Sequence, residues 1–166
     1  MAQDSSFDVT SKVEMQEIVN AIDQAVREIT NRYDFKGVET NIDLNKEERK
    51  ITISSADDYK VKASYDILVN KMIKRGVPVK ALTSKDPYQS GMNKMVMEIT
   101  IQEGIPQEKA KEIVKYIKDS GIKKVQASIQ KDTIRVSGPK KDDLQEVMQL
   151  LKSKDFGIDM QFANYR

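Results

Sequence analysis

Apolar and polar residues change period several times along the chain, and each change marks an element. Phe7-Asp8-Val9-Thr10 alternates as a half-buried strand does. Met15, Ile18, Val19, Ile22, Ala25, Val26 and Ile29 then recur at three- and four-residue steps, on one stripe of a helix from about Glu14 to Tyr33. Val38, Thr40, Ile42 and Leu44 alternate with Glu39, Asn41 and Asp43, a polar tip runs from Asn45 to Arg49, and Ile51-Thr52-Ile53 completes a predicted β-hairpin. Ser55-x-x-Asp58 has the form of a capping box and opens a helix to about Arg75, with Val61, Tyr65, Leu68, Val69, Met72 and Ile73 as its apolar stripe. Lys71, Lys74 and Arg75 complement the dipole of its last turn and Gly76 ends it. Val77 to Leu82 predicts a short edge strand, because Pro78 has no donor to give a second neighbour. Met1 to Ser5 has no periodicity and reads as a frayed start, and Thr83 to Asn93, with Pro87, Ser90 and Gly91, reads as the linker or a long loop.

From Met95 the order recurs. Met97, Ile99 and Ile101 alternate inward, a helix runs from Pro106 to about Ser120, Gly121 follows, and Val125-x-Ala127-x-Ile129 and Ile134-x-Val136 predict a second hairpin. A helix from Pro139 places Leu144, Val147, Met148 and Leu151 inward, and Ile158, Met160 and Phe162 close the series. Phe7-Asp8-Val9-Thr10 aligns with Met97-Glu98-Ile99-Thr100, and Ile51-Thr52-Ile53-Ser54 with Ile134-Arg135-Val136-Ser137. The expected fold class is therefore α+β: a tandem of two ferredoxin-like (β-α-β-β-α-β) domains, each a four-stranded antiparallel sheet with two helices on one face. The expected domains are residues 1–90, linker included, and residues 91–166, divided within about Leu82 to Lys94. Terminal strands are free to exchange between the sheets, since Ile158 to Phe162 is apolar enough to complete either one.

Composition narrows the chemistry. With 39% hydrophobic and 33% charged residues the chain reads as a globular protein with a heavily solvated surface. No apolar run is long enough to span a bilayer, no leader pattern precedes Ser11, and a cytoplasmic protein without a membrane partner is expected. There is no Cys and no His, which removes disulfides, thiolate or imidazole metal sites, a Cys nucleophile and a Ser-His-Asp triad. No metal or cofactor is expected, and a binding module is favoured over an enzyme. Formal net charge is +2, with 14 basic against 15 acidic residues up to Ser90 and 14 against 11 after it. The excess favours the C-terminal part as the anion-facing one.

If apolar positions face the helices, the alternate positions face outward. Asp8, Thr10, Glu39, Asn41, Asp43 and Thr52 in the first half would repel phosphate. Glu98, Thr100, Gln102, Lys124, Gln126, Ser128, Gln130, Thr133, Arg135 and Gln161 in the second half are mostly neutral hydrogen-bonding groups with two cations among them. No aromatic appears on either face, so base stacking on a sheet is not expected, and no Walker-type loop is present. Asp57-Asp58 and Asp142-Asp143 lie at helix starts and read as caps rather than acid/base dyads. Lys111, Lys115 and Lys118 form one stripe of the third helix, solvated with their stems on the core.

The densest stretch is Arg32-Tyr33-Asp34-Phe35-Lys36-Gly37-Val38, with two cations, a carboxylate, two aromatics and a glycine in seven residues. Together with Ile73-Lys74-Arg75-Gly76, Ile134-Arg135-Val136-Ser137-Gly138, Lys141-Asp142-Asp143-Leu144-Gln145 and the ending Gln161-Phe162-Ala163-Asn164-Tyr165-Arg166, it resembles the YajQ family of bacterial nucleotide-binding proteins. The resemblance covers Ser6 to Arg166. It implies tandem ferredoxin-like domains resembling RNA-binding proteins, located in the cytosol. It implies binding of nucleotides or nucleic acid without established catalysis, some members being linked to cyclic dinucleotide signalling. Its matching motif positions are chiefly Arg32, Asp34, Lys36 and Gly37.

The expected function is binding of a nucleotide, a cyclic dinucleotide or RNA without turnover. The alternatives are an adaptor that meets proteins with its open sheets and, third, a nucleotide-processing enzyme using carboxylates. The expected contacts are Lys124 and Arg135, converging on one phosphate from neighbouring strands, with Arg32, Lys36 and Gly37 contributing from the corner. Because that corner follows a helix C-terminus, whose dipole is negative, its cations alone must hold an anion there.

Overall fold

The computed structural model describes residues 4–166. Its elements are β1 (Ser5–Thr10), α1 (Met15–Asn31), β2 (Asn41–Asn45), β3 (Lys50–Ser55), α2 (Asp58–Lys74), β4 (Leu82–Ser84), β5 (Tyr88–Gln89), β6 (Met95–Ile101), α3 (Gln107–Asp119), β7 (Gln126–Ile129), β8 (Ile134–Gly138), α4 (Lys141–Lys152) and β9 (Gln161–Ala163), with 3-10 turns at Tyr33–Phe35 and Val79–Ala81. Residues 1–3 of the expected frayed start lie outside the described residues, and Ser5 already pairs with Gly138. The fold is α+β with two antiparallel sheets and four helices, the ferredoxin-like arrangement twice over.

The chain is not divided where a linker was expected. It forms a continuous unit, Val13–Gln102, and a discontinuous one made of residues 4–12 with Glu103–Arg166. Each half has exchanged its first strand: β1 lies between β8 and β9 in the order β7-β8-β1-β9, and β6 lies between β3 and β4 in the order β2-β3-β6-β4. The reason lies in residues 83–93. Tyr88 and Gln89 pair with Val96 and Met95, Ser90 N–H donates to the Lys94 carbonyl at 2.8 Å, and Lys85 N–H donates to the Glu98 carbonyl at 3.0 Å. Gly91 (φ +88°) and Asn93 (φ +55°) supply the left-handed residues of the turn. The stretch is thus a local hairpin, whose closure costs little chain entropy, and it holds β6 in the sheet of the continuous unit. With that position filled, β1 completes the other sheet.

In the continuous unit α1 and α2 bury Ile18, Ala25, Val61, Leu68 and Met72 against Ile51, Ile53 and Ile99, all but fully enclosed. In the discontinuous unit Ile113, Ile117, Leu144 and Val147 close over Phe7, Val9, Ile134 and Val136. Each such side chain contributes roughly 1.5–3 kcal/mol on leaving water. The α2 stripe is rotated from the expected one: Ser64 and Ile67 are buried and Ile73 is 54% exposed. Ser64 tolerates burial because its Oγ donates to the Lys60 carbonyl at 2.8 Å. The helix is capped by Asp57, which accepts from Lys60 N–H at 2.8 Å, and not by the Ser55 box. Ser55 ends β3 instead, its hydroxyl 2.9 Å from that of Thr40.

Candidate functional site

The Arg32–Gly37 corner is built from the end of α1. The helix stops at Asn31, Tyr33–Phe35 tightens into a 3-10 turn, and Phe35 drops into the core at 4% exposure. Arg32 donates to both oxygens of Asp34, Nε to Oδ1 at 3.0 Å and Nη2 to Oδ2 at 2.8 Å, and its guanidinium lies 5.5 Å from the Phe35 ring centre. Lys60 of α2 also reaches this ring, its Nζ 5.0 Å from the ring centre, and donates to the Asp34 carbonyl. The hydrogen bonds from Arg32 hold the Asp34 carboxyl below the usual carboxylate range, and Asp34 raises the guanidinium in turn. Arg32 is therefore committed to a bidentate partner. Lys36 is exposed and forms no ion pair among the described residues. Gly37 turns the chain at φ +78°, a backbone angle that a side chain would strain.

Two clefts flank this segment, both within Val13–Gln102. One, of about 320 Å³, is walled by Gly37, Glu39 and Asn41 on one side, Ser54 across from them, and Met92 and Lys94 from the β5–β6 turn. Lys94 is exposed and, like Lys36, forms no ion pair among the described residues, and Met92 is 91% exposed. The other, of about 360 Å³, lies between α1 and α2 and is lined by Arg32, Tyr59, Lys62 and Asp66 among others. Periodicity does not reveal these clefts, because Lys94 lies at the margin of the stretch that reads as a linker and Tyr59 is off the apolar stripe of α2.

The open sheet faces differ from the expected lists by the exchanged strands and by β5, whose Tyr88, 46% exposed and donating its hydroxyl to Glu98 Oε1 at 3.2 Å, puts an aromatic on a face where none was expected because its stretch reads as a linker. Glu98 and Thr100 join Asn41, Asp43, Lys50 and Thr52, and Glu98 pairs with Lys50 at 2.9 Å. That hydrogen bond holds the Glu98 carboxyl below its ordinary value. Asp8 and Thr10 join Gln126, Ser128, Arg135 and Gln161 in the other sheet. Here Arg135 Nε donates to Asp8 Oδ1 at 3.1 Å, and Asn164 Nδ2 donates to Oδ2 at 2.8 Å. Burial by itself would raise the Asp8 pKa, but these bonds and the nearby Arg135 and Arg166 charges outweigh it and leave the carboxyl below its ordinary value.

Arg135 stands opposite Ser128 on the β7–β8 hairpin and bonds Asp8, whereas Lys124 sits in the turn before β7 at φ +65°. Of the five residues expected to form the site, Lys36 and Gly37 adjoin an open cleft, Arg32 lines a second cleft while bound to Asp34, Arg135 is tied to Asp8, and Lys124 lies in the turn before β7.

The fold defines the class: an α+β protein with two ferredoxin-like antiparallel sheets whose open faces are polar, here with an exposed Lys94, free of ion pairs among the described residues, on the wall of the Gly37 cleft. The chain belongs to the YajQ-like family, whose model, described as "Nucleotide-binding protein YajQ-like", matches residues 5–166. It is 52% identical over 163 residues to a protein of Koribacter versatilis (strain Ellin345) named as a nucleotide-binding protein, covering 98% of each chain. A nucleotide-binding protein of Desulfitobacterium hafniense (strain DSM 10664 / DCB-2) is 50% identical over 166 residues, covering both chains fully. One of Solibacter usitatus (strain Ellin6076) is 49% identical over 163 residues, covering 98% of each. Among the described residues no helix is long and apolar enough to cross a membrane.

Proposed function

We propose that this chain binds a nucleotide in the Gly37 cleft and does not turn it over. The observation that carries this reading is the pairing state of the cations. Lys94 on the cleft wall and Lys36 beside Gly37 are exposed without an ion pair among the described residues, whereas Arg32 and Arg135 are held by carboxylates. A cleft of about 320 Å³ is at the small end of ligand sites, the size for one nucleotide unit. Lys94 and Lys36 take the phosphate as point charges, Ser54 and Asn41 offer hydrogen bonds to sugar or base, and Glu39 accepts from a donor edge. The names of the relatives support nucleotide binding as such.

Binding without turnover is favoured by where the carboxylates are used. Asp57 caps α2, Asp58 pairs with Lys62 at 3.1 Å, and Asp142 and Asp143 occupy the first turn of α4. A mononucleotide, a cyclic dinucleotide and RNA all present the phosphate and sugar this cleft takes.

Calorimetric titration with a nucleotide panel at two salt concentrations tests the assignment. Lys94→Ala and Lys36→Ala should each weaken binding by about 1–3 kcal/mol, the range for a charge-assisted contact. If both bind like the parent while Lys124→Ala does not, the site belongs to the discontinuous unit. If no nucleotide binds at low salt, the adaptor reading replaces this one.

A further inference from the structure

With no Cys in the chain, the sulfurs open to oxidation are those of its eight methionines. A thioether reacts with peroxide where the oxidant can reach it. Met72 and Met97 are buried, Met15 and Met95 pack against the core of the continuous unit, and Met148 and Met160 pack against that of the discontinuous one. Met92, at 91% exposure, differs from all of these. Its turn holds it out: Gly91 (φ +88°) and Asn93 (φ +55°) flank it in left-handed backbone, and Ser90 N–H closes the turn on the Lys94 carbonyl at 2.8 Å. Gln89 Nε2 adds a bond to the Gly91 carbonyl at 3.3 Å. None of these bonds uses the Met92 side chain, so its chemistry can change while the turn persists. An exposed methionine is ordinary surface by itself; this one stands on the rim of the Gly37 cleft, in the same lining as Lys94 and Glu39.

We infer that Met92 is a peroxide-sensitive modification site that controls the Gly37 cleft. The sulfur lone pair takes one oxygen of the peroxide. The O–O bond breaks, an S–O bond forms, and the proton of the transferred oxygen moves to the departing one, which leaves as water or, from an alkyl hydroperoxide, as the alcohol. Sulfur is oxidised by two electrons and the peroxide is reduced by two. Methionine sulfoxide reductases, one for each sulfoxide epimer, reverse the step with a dithiol, which becomes a disulfide as the oxygen leaves as water. The modification turns an apolar thioether into a polar group whose oxygen accepts hydrogen bonds. On this rim that oxygen adds an acceptor to the one Glu39 already brings, and it competes with phosphate for Lys94. The inference rests on the nucleotide reading of the cleft for its consequence and goes beyond it by placing the cleft under redox control.

Mass spectrometry of the full chain after graded hydrogen peroxide, followed by tryptic digestion, tests the site. Cleavage at Lys and Arg leaves Met92 as the one methionine in residues 86–94. That peptide should gain an oxygen before those carrying Met15, Met72, Met148, Met160 or the Met95 and Met97 pair. Calorimetry with AMP, GMP, CMP and UMP tests the consequence. Protein oxidised at Met92 should bind about two- to tenfold more weakly whichever of them the parent binds, the range for loss of a thioether contact, and treatment with both reductases should restore the affinity. Met92→Gln, a polar stand-in, should be weaker without peroxide, and Met92→Leu should bind equally before and after it. An unchanged circular dichroism melt checks that the fold is kept. If residues 86–94 are oxidised no sooner than the other peptides, the site is wrong. If they are oxidised first and binding is unchanged while Lys94→Ala weakens it, the control is wrong and the Gly37 cleft stands. If the parent binds none of the four nucleotides, both readings fall.

Discussion

Replacing Phe7 by alanine distinguishes the exchanged fold from two successive domains. Phe7 precedes α1 by a few residues and in a simple tandem would belong to its sheet. Instead it is 0% exposed within the discontinuous unit, opposite Val136 on β8, with its ring edge-to-face with Phe162 at 5.7 Å. Truncating a buried phenylalanine costs about 3–5 kcal/mol, and loss of the aromatic pair places Phe7→Ala toward the upper half of that range. Against a domain stability of about 5–15 kcal/mol this is a large fraction. Native-state hydrogen exchange reads where it is lost. A cost of about 4 kcal/mol lowers protection roughly a thousandfold for the slowest amides of β8, β9 and α4, while those of β3 and α2 keep theirs. Ile99→Ala, also at a fully buried position, should do the reverse: about 2–5 kcal/mol from β3 and α2, and nothing from β8. If Phe7→Ala strips protection from β3 and α1 and leaves β8 untouched, the strand assignment is refuted.

Arg135→Ala should cost about 1 kcal/mol of stability, the low end for a bond to a charged group because the arginine is half exposed, since it leaves the Asp8 carboxylate with Asn164 alone. The Asp8 pKa is depressed in the fold, so this contribution is fully present above its ordinary value of 3.8 and fades as pH falls through the folded value. Urea midpoints of parent and variant should thus run parallel near neutrality and draw together in acid; a gap that widens in acid contradicts the sign. Gly37→Ala should cost about 1–2 kcal/mol from its positive φ alone, because nothing lies within 4 Å of the added methyl. Gly138→Ala meets the Lys124 carbonyl at 2.9 Å and should cost about 1–3 kcal/mol by overpacking, with thermal melts comparing the two.

Periodicity revealed all four helices and the strands of both hairpins, because a stripe of buried residues leaves the same mark wherever its element is placed. It could not say which sheet a strand joins. Phe7-Asp8-Val9-Thr10 and Met97-Glu98-Ile99-Thr100 carry the same pattern, two apolar positions inward and a carboxylate outward, and each sheet offers that carboxylate a cation, Arg135 or Lys50. Neither hydrophobicity nor charge decides between them. The deciding feature is the Tyr88–Val96 hairpin, whose visible traces are Gly91 and Asn93 four and two residues before Met95. Read as a linker, it hid both the domain division and Lys94.

The same misplacement explains the shift of the candidate site. Arg135 was expected to reach a ligand because its face read as mostly neutral with two cations and Glu98 as its one acid, a list that assigned Asp8 to the other sheet. Once β1 inserts beside β8, the most cationic open face acquires a buried carboxylate opposite its one arginine, and Arg135 becomes a structural partner. The Arg32–Gly37 stretch changes in the opposite sense. Its bidentate Arg32–Asp34 pair, with Lys60 bonded to the Asp34 carbonyl beside Phe35, fixes the turn so that Lys36 and Tyr33 face solvent and Gly37 opens onto a cleft. A motif's most conspicuous cation can therefore be a structural one: Arg32 holds the corner in shape, and because Lys36 and Lys94 are exposed without an ion pair among the described residues, the proposed nucleotide site rests on those lysines and not on the arginine.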